Sequence, residues 1–388
     1  MTPTRTPELA EPSDELGALA ELAAQGFAGM VGQVQELHGA IAERSFGPTG
    51  AASGPPRAVH DAIAGAVYAG VRGAGALLGA GLARSVRAAG GGPRISDDAR
   101  GRLAQGALNG LVGDRLEADG NALAVGMAVR VGGRDVACDS EALARAFGAE
   151  VSGAPVVFVH GLCESDAAWA IRAERHGGTT YMSRVVAPAP VGRTPVTVRY
   201  NSGVAVAENG RRLSALLEAL CAAWPVEVER LALVGHSMGG LVIRAAGHAA
   251  TAEGHGWPAR VDTTVSLGTP HRGAPLAQAA RFATAALDLT PESRAVGTVL
   301  RTRSAGIQDL AHALDVPLIA GARHHAVAAT VTADHRHPLG RMVGDLLVLT
   351  PSAHGIEATL RHVGSHDHFD LLNSPAVDDL LRAWLGGS

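Results

Sequence analysis

The chain has 388 residues, a formal net charge of −4, and 47% hydrophobic against 18% charged residues. That length supplies one large or two ordinary domains with ample core; the hydrophobic share excludes a largely disordered protein, and the near-neutral balance excludes a dedicated nucleic-acid binder. The 50 glycines and 74 alanines make up about a third of the chain, and all 33 basic residues are arginine.

Residues 1–14 read as a loose tail, polar and acidic, without the basic start and apolar run of a secretory signal. From Asp14 to about Phe46 apolar residues recur at helical spacing (Leu16, Leu19, Leu22, Phe27, Met30, Val34, Leu37, Ile41). Gly47 to Pro56 has the composition of a linker. A second helical pattern runs from Val59 to about Ala89, and a third lies near Asp97 to Leu111. These helices are rich in Gly and Ala, which allows close packing but lowers intrinsic helix stability, so they need a partner: the rest of the chain, a second subunit or lipid. The most apolar stretch, Ile63 to Ala83, is interrupted by Arg72, so no transmembrane segment is expected, and the expected location is cytoplasmic. Gly73 to Gly79 resembles a glycine-rich phosphate loop, but it sits inside a helical pattern with no strand before it and is not read as a nucleotide site.

After Gly120 the pattern changes. Leu123 to Val131 and Arg134 to Ala137, separated by Gly-Gly, predict a strand pair with a tight turn. Short apolar runs then alternate with helical patterns: Pro155 to Val159, Pro195 to Arg199, Leu231 to Val234, Val261 to Leu267, and Ala326 to Val331. Fully apolar strands alternating with helices predict an α/β fold, a mostly parallel sheet covered on both faces. The chain thus divides into a tail at 1–14, a helical region at 15–120, and an α/β domain at 121–388.

The chemistry concentrates at Gly235-His-Ser-Met-Gly239, a GxSxG element between an apolar strand and an apolar helical run. A serine on so sharp a strand-to-helix turn needs glycines two residues to either side, here Gly235 and Gly239, because side chains there would strike the neighbouring strand and helix. The turn lifts the Ser237 hydroxyl clear of the sheet, beside a helix N-terminus whose N–H groups can receive negative charge. With so many glycines, about 0.3 such matches arise by chance; the strand before and the helix after carry the reading. Upstream, Pro155-Val-Val-Phe-Val-His-Gly-Leu162 is a buried strand ending in His-Gly. In an α/β-hydrolase, which these segments resemble, the backbone N–H groups of Leu162 and Met238 would form the oxyanion hole.

These segments, together with Ser266-Leu-Gly-Thr-Pro-His-Arg-Gly273, resemble the lipase/esterase branch of the α/β-hydrolase superfamily, and more narrowly the bacterial lipase-like and GPI-inositol-deacylase-like serine esterases. The resemblance covers roughly residues 120–388 and implies the α/β-hydrolase fold with a Ser-acid-His triad in that order. It places the histidine at His368, before Phe-Asp-Leu-Leu, with His366 the alternative. It places the acid at Asp345 in Val343-Gly-Asp-Leu-Leu-Val348, with Asp334 the alternative. His368 would take the Ser237 proton as the hydroxyl attacks an ester carbonyl, the aspartate would hold the imidazole, and water would release the acyl-enzyme. The segment 272–314, with Phe282, Leu287, Ile307 and Leu310, is the expected cap or lid over the serine; closing the sheet's flank is the other role open to it.

No cofactor is implied. His324, His325, His335 and His337 lack metal-ligand spacing, so no metal is expected. Cys138, Cys163 and Cys221 are too few and scattered for a disulfide framework, and Cys163, like Trp169, Trp224 and Trp384, reads as packing. The expected partner is a small-molecule or lipid ester. Two other functions share the sequence: a catalytically silent scaffold whose N-terminal helices bind a partner or membrane, and an acyltransferase using the same triad. For those helices two packing roles stay open, an extra layer on the hydrolase domain or a homo-oligomer contact.

Overall fold

Uninterrupted apolar strands are stable only between two covering layers, and β3 (Pro155–Val159) and β5 (Leu231–His236) are buried at every position. The computed structural model describes residues 12–46, 54–89, 94–148, 151–186, 192–273, 304–312, 314–333 and 358–386. With β1 (Ala128–Val131), β2 (Arg134–Val136), β4 (Thr194–Arg199), β6 (Val261–Leu267), β7 (Arg323–Thr330) and β8 (Thr359–Gly364), these strands form one sheet in the order β2-β1-β4-β3-β5-β6-β7-β8. β1 runs antiparallel to both neighbours; every other described pair is parallel.

The alternation of side chains along each strand sorts the core into two layers. Val157, Val159, Leu231 and Leu233 meet Leu213 and Leu217 of the helix Val206–Ala223 and Leu241 of the helix Met238–Glu253. On the other face Val156, Phe158, Ala232 and Val234 meet Trp169, Tyr181 and, from the C-terminal helix Pro375–Leu385, Leu381 and Trp384. Trp169, Trp224 and Trp384 are all buried.

One predicted boundary shifts for a local reason. Of the stretch Leu123 to Val131 only Ala128–Val131 is strand. Before it, the Asn109 side chain donates to the Leu123 carbonyl (2.9 Å) and accepts from the Val125 N–H (3.0 Å), which replaces ladder partners. β8 has no counterpart among the predicted strands.

The N-terminal helices divide between two tasks. α3 (Ala99–Ala118) belongs to the body of the α/β domain: a Cβ added at Gly110 would lie 2.4 Å from Cys163 Sγ, and one at Gly113 1.9 Å from Asn201 Oδ1. Only glycine permits such an approach. α1 (Pro12–Phe46) and α2 (Gly54–Ala89) pack on each other as a hairpin, with Gly79 against Ala24 and Arg72 donating to Gln35. Its base is held where the buried Glu15 carboxylate accepts from the Ile95 N–H (2.8 Å) and Ala18 joins Leu116 and Leu123. Within α2, the 22-residue stretch Ala64–Ser85 contains 18 consecutive residues of mean hydropathy 1.3, of which 6% are buried, so by length and composition this helix is long and apolar enough to cross a membrane. Arg72, which interrupts the stretch in sequence, is turned toward α1.

Candidate active site

β5 delivers Ser237 to the tip of a strained turn. Ser237 has φ 52° and ψ −123°, a region that non-glycine residues adopt at a cost of order 1–3 kcal/mol. The turn holds because its flanks allow no side chain: a Cβ on Gly235 would lie 2.4 Å from the Gly240 nitrogen, and one on Gly239 2.1 Å from the Val159 carbonyl oxygen. The Ser237 N–H is tied to the Leu267 carbonyl at the end of β6 (2.8 Å). Met238 opens the helix that runs to Glu253, so its N–H has no acceptor within the helix.

The loop after β3 crosses directly above. A Cβ on Gly161 would be 2.9 Å from the Ser237 Cβ, which sets Leu162 beside the nucleophile turn. His160 is fully buried and stacks on Tyr200 (ring centroids 4.3 Å apart). Its Nδ1 faces the Gly161 carbonyl (2.9 Å) and its Nε2 accepts from the Tyr200 N–H (3.3 Å), which fixes the neutral Nδ1–H tautomer; burial holds its pKa below the usual histidine value.

Glu164, absent from the predicted residues, ties this loop to the serine turn. Its Oε2 accepts from the Gly161 N–H (2.7 Å), and its Oε1 lies 2.8 Å from His236 Nδ1, at ion-pair distance but off the line of a well-aligned hydrogen bond. His236 Nε2 in turn lies 3.2 Å from the His368 carbonyl oxygen. Both ring nitrogens of His236 thus face oxygen atoms, one of them a carboxylate oxygen. Burial alone would raise the Glu164 pKa; the adjacent His236, with the Gly161 N–H, outweighs it and holds the carboxyl below its ordinary range. No spacing rule marks a lone glutamate three residues beyond a His-Gly turn.

His368 lies in the loop after β8, its ring centroid 4.8 Å from that of His236. A Cβ on Gly268, the residue after Leu267, would lie 3.0 Å from His368 Cε1. The structure therefore gathers Ser237, Met238, Leu162 and His368 at the carboxyl ends of β3, β5 and β6. The loop is clamped: Arg172 donates to Asp367 (2.8 Å) and to Asp370, while Asp367 and Asp370 accept each other's backbone N–H. Asn373 fastens its far end to the Trp169 and Ile171 carbonyls. His366 is committed elsewhere, with Nδ1 on the Gly364 carbonyl (2.7 Å) and Nε2 on Ser374 Oγ (2.8 Å). Asp345 and Asp334 lie outside the described residues.

A mostly parallel sheet, a serine on a strained strand-to-helix turn, and a loop after β3 poised over it decide the architecture. The chain has the α/β-hydrolase fold. Residues 213–296 match the family model of the PGAP1-like alpha/beta domain. No curated protein matches the sequence. The Bacillus licheniformis lipase BlEst2 is similar in its propeptide form at 19% identity and a TM-score of 0.46, over 60% of this chain and 50% of that one. Its mature form is similar at 20% identity and 0.41, over 60% and 91%. An alpha/beta hydrolase fold protein from Chitinophaga pinensis shows 12% identity and 0.38, over 61% and 90%. This chain thus spans half the length of the propeptide-form lipase and most of the other two.

Other predicted residues of this hydrolase fold settle into local roles. Burial pushes the Cys163 thiol up to about 11, against nucleophilic use. His324 bonds Thr264 (2.7 Å) and the Ile319 carbonyl (3.0 Å), and His325 stacks on Trp384. No group of three or more metal-ligating side chains occurs among the described residues. Of the expected lid, 274–303 lies outside the described residues; at its C-terminal end Ser304 donates to the Gly110 carbonyl and Leu310 is buried in the core.

Proposed function

We propose that this protein is a serine hydrolase of carboxylic esters, acyl or lipid-like, with Ser237 the nucleophile, His368 the general base and Asp345 the triad acid. The observation that carries the reading is the strained Ser237 backbone: a positive φ on a non-glycine residue, bracketed by glycine contacts that leave no room for a side chain, is held directly beneath the loop after β3.

In this mechanism the ester carbonyl carbon sits against Ser237 Oγ. His368 takes the hydroxyl proton as the C–O bond forms, and the Leu162 and Met238 N–H groups receive the oxyanion. The proton passes from His368 to the departing alcohol, leaving an acyl-serine. Water, deprotonated by the same imidazole, then releases the acid and restores Ser237. Asp345 stabilises the imidazolium without taking its proton.

Labelling with a fluorophosphonate probe tests the nucleophile. The wild-type protein labels and Ser237→Ala does not; a wild type that fails to label, or a variant that labels equally, removes the proposal. Asp345→Asn against Asp334→Asn, assayed on a p-nitrophenyl ester series of rising chain length, distinguishes the acid and the acyl preference together.

A further inference from the structure

A water-soluble helix pair puts its large apolar side chains between the helices and its polar ones outside. The α1–α2 hairpin is built the other way round. Toward α1, α2 turns Ala64, Tyr68, Arg72, Gly75, Gly79 and the buried Ala83, a stripe at three- and four-residue spacing made of small residues and the segment's only polar ones. The exposed positions between Ala66 and Leu82 are Ala, Gly, Val and Leu without exception. Leu77 and Leu78 are 77% and 75% exposed, and Leu82, Val67 and Val71 join them. Isolated exposed leucines are ordinary, but a continuous apolar face along a whole helix marks a surface that something covers.

Charge identifies the cover. From Ala62 to Ser96 no acidic residue occurs, whereas Arg72, Arg84, Arg87 and Arg94 do, with Arg84 exposed at the end of the apolar face. An apolar face that ends on an exposed arginine suits hydrocarbon bordered by anionic headgroups. Small residues between the helices and large ones outside are also the arrangement of helices packed in lipid. A full crossing would carry α1 along, and the middle of α1 holds Gln33, Gln35, Glu36 and His38, which hydrocarbon penalises heavily.

We infer that the outer face of α2 is a membrane-docking surface: the hairpin lies on an anionic bilayer with Val67, Val71, Leu77, Leu78 and Leu82 inserted below the headgroups and Arg84 at their level. This contact is independent of what Ser237 does.

Flotation of the full chain with phosphatidylcholine vesicles, with and without phosphatidylglycerol, tests it. The expected result is that the wild type floats, more strongly on the anionic vesicles, and that Leu77→Glu/Leu78→Glu/Leu82→Glu lowers partitioning by at least ~100-fold. The circular dichroism and melting temperature of that triple variant stay unchanged, because the three side chains touch little of the fold. Arg84→Glu removes the preference for the anionic lipid. A wild type that stays in the soluble fraction, or a triple variant that floats equally, overturns the inference. So does a wild-type dimer that the triple substitution splits without any vesicle binding, which would make this face a contact between two copies. Retention after an alkaline carbonate wash would overturn the surface-lying arrangement in favour of a crossing.

Discussion

Glu164→Ala is the substitution that most directly probes how the oxyanion loop is held. It strips the Gly161 N–H of an acceptor 2.7 Å away and His236 of its counter-charge 2.8 Å away, both in a site closed to solvent. An orphaned buried N–H costs ~1–3 kcal/mol, and a buried pair broken by removing one partner costs about 3–5 kcal/mol. These overlap, so a net loss of ~3 kcal/mol in urea unfolding is expected. The kinetic effect should be larger than stability alone explains. Gly161 precedes one proposed oxyanion donor, and the loss of such a donor costs about 10² to 10³ in kcat. kcat on a p-nitrophenyl ester should therefore fall by at least ~10-fold with KM changed far less. Glu164→Gln separates the two contributions: its amide oxygen still accepts from Gly161, so kcat should recover most of the loss while the ion pair stays broken. A Glu164→Ala protein that loses stability but keeps its kcat and fluorophosphonate labelling rate refutes the idea that this carboxylate positions the loop. The pair also has a pH signature. With the folded pKa held below the ordinary carboxylate value, its contribution is complete above about pH 4.3 and disappears as the pH falls through the lower folded value.

Arg172→Gln should unclamp the loop that carries His368: kcat falls ~10- to 100-fold, whereas the partly exposed ion pairs to Asp367 and Asp370 contribute only about 1 kcal/mol to unfolding; a melting temperature that collapses in step with activity would point to general unfolding instead. Buried His271, its pKa lowered to about 3 by burial and by the nearby Arg244 charge, predicts acid sensitivity. Between about pH 6.5 and 3 the unfolded chain binds a proton there that the folded chain does not, so stability falls with pH, by about 2 kcal/mol between pH 8 and pH 5. Urea midpoints of His271→Gln should show a pH slope shallower by that amount, and an unchanged slope refutes the assignment.

What was legible in the sequence is what obeys a period or a steric rule. β3 and β5 announce themselves as apolar runs because both faces are covered. Ser237 is readable because its turn forbids side chains at Gly235 and Gly239. β8 is not, since a last strand in the described sheet alternates Thr359, Arg361 and Val363 with Leu360 and His362, and buries only Val363 fully. Glu164 is silent for a different reason: its meaning depends on His236, brought beside it only when β3 and β5 pair.

α2 lies between these cases. In the linear sequence Arg72 reads as a break, because a linear reading records that a charge is present and not where it points. Helical periodicity carries the missing direction. Arg72 falls in register with Ala64, Tyr68, Gly75, Gly79 and Ala83, so the one charge in the stretch shares a face with the residues small enough to lie against another helix. Turning it inward against Gln35 leaves the opposite face wholly apolar. Interior arginine and exterior leucine belong to one design: the charge is satisfied within the hairpin, and the leucines meet whatever the hairpin rests on.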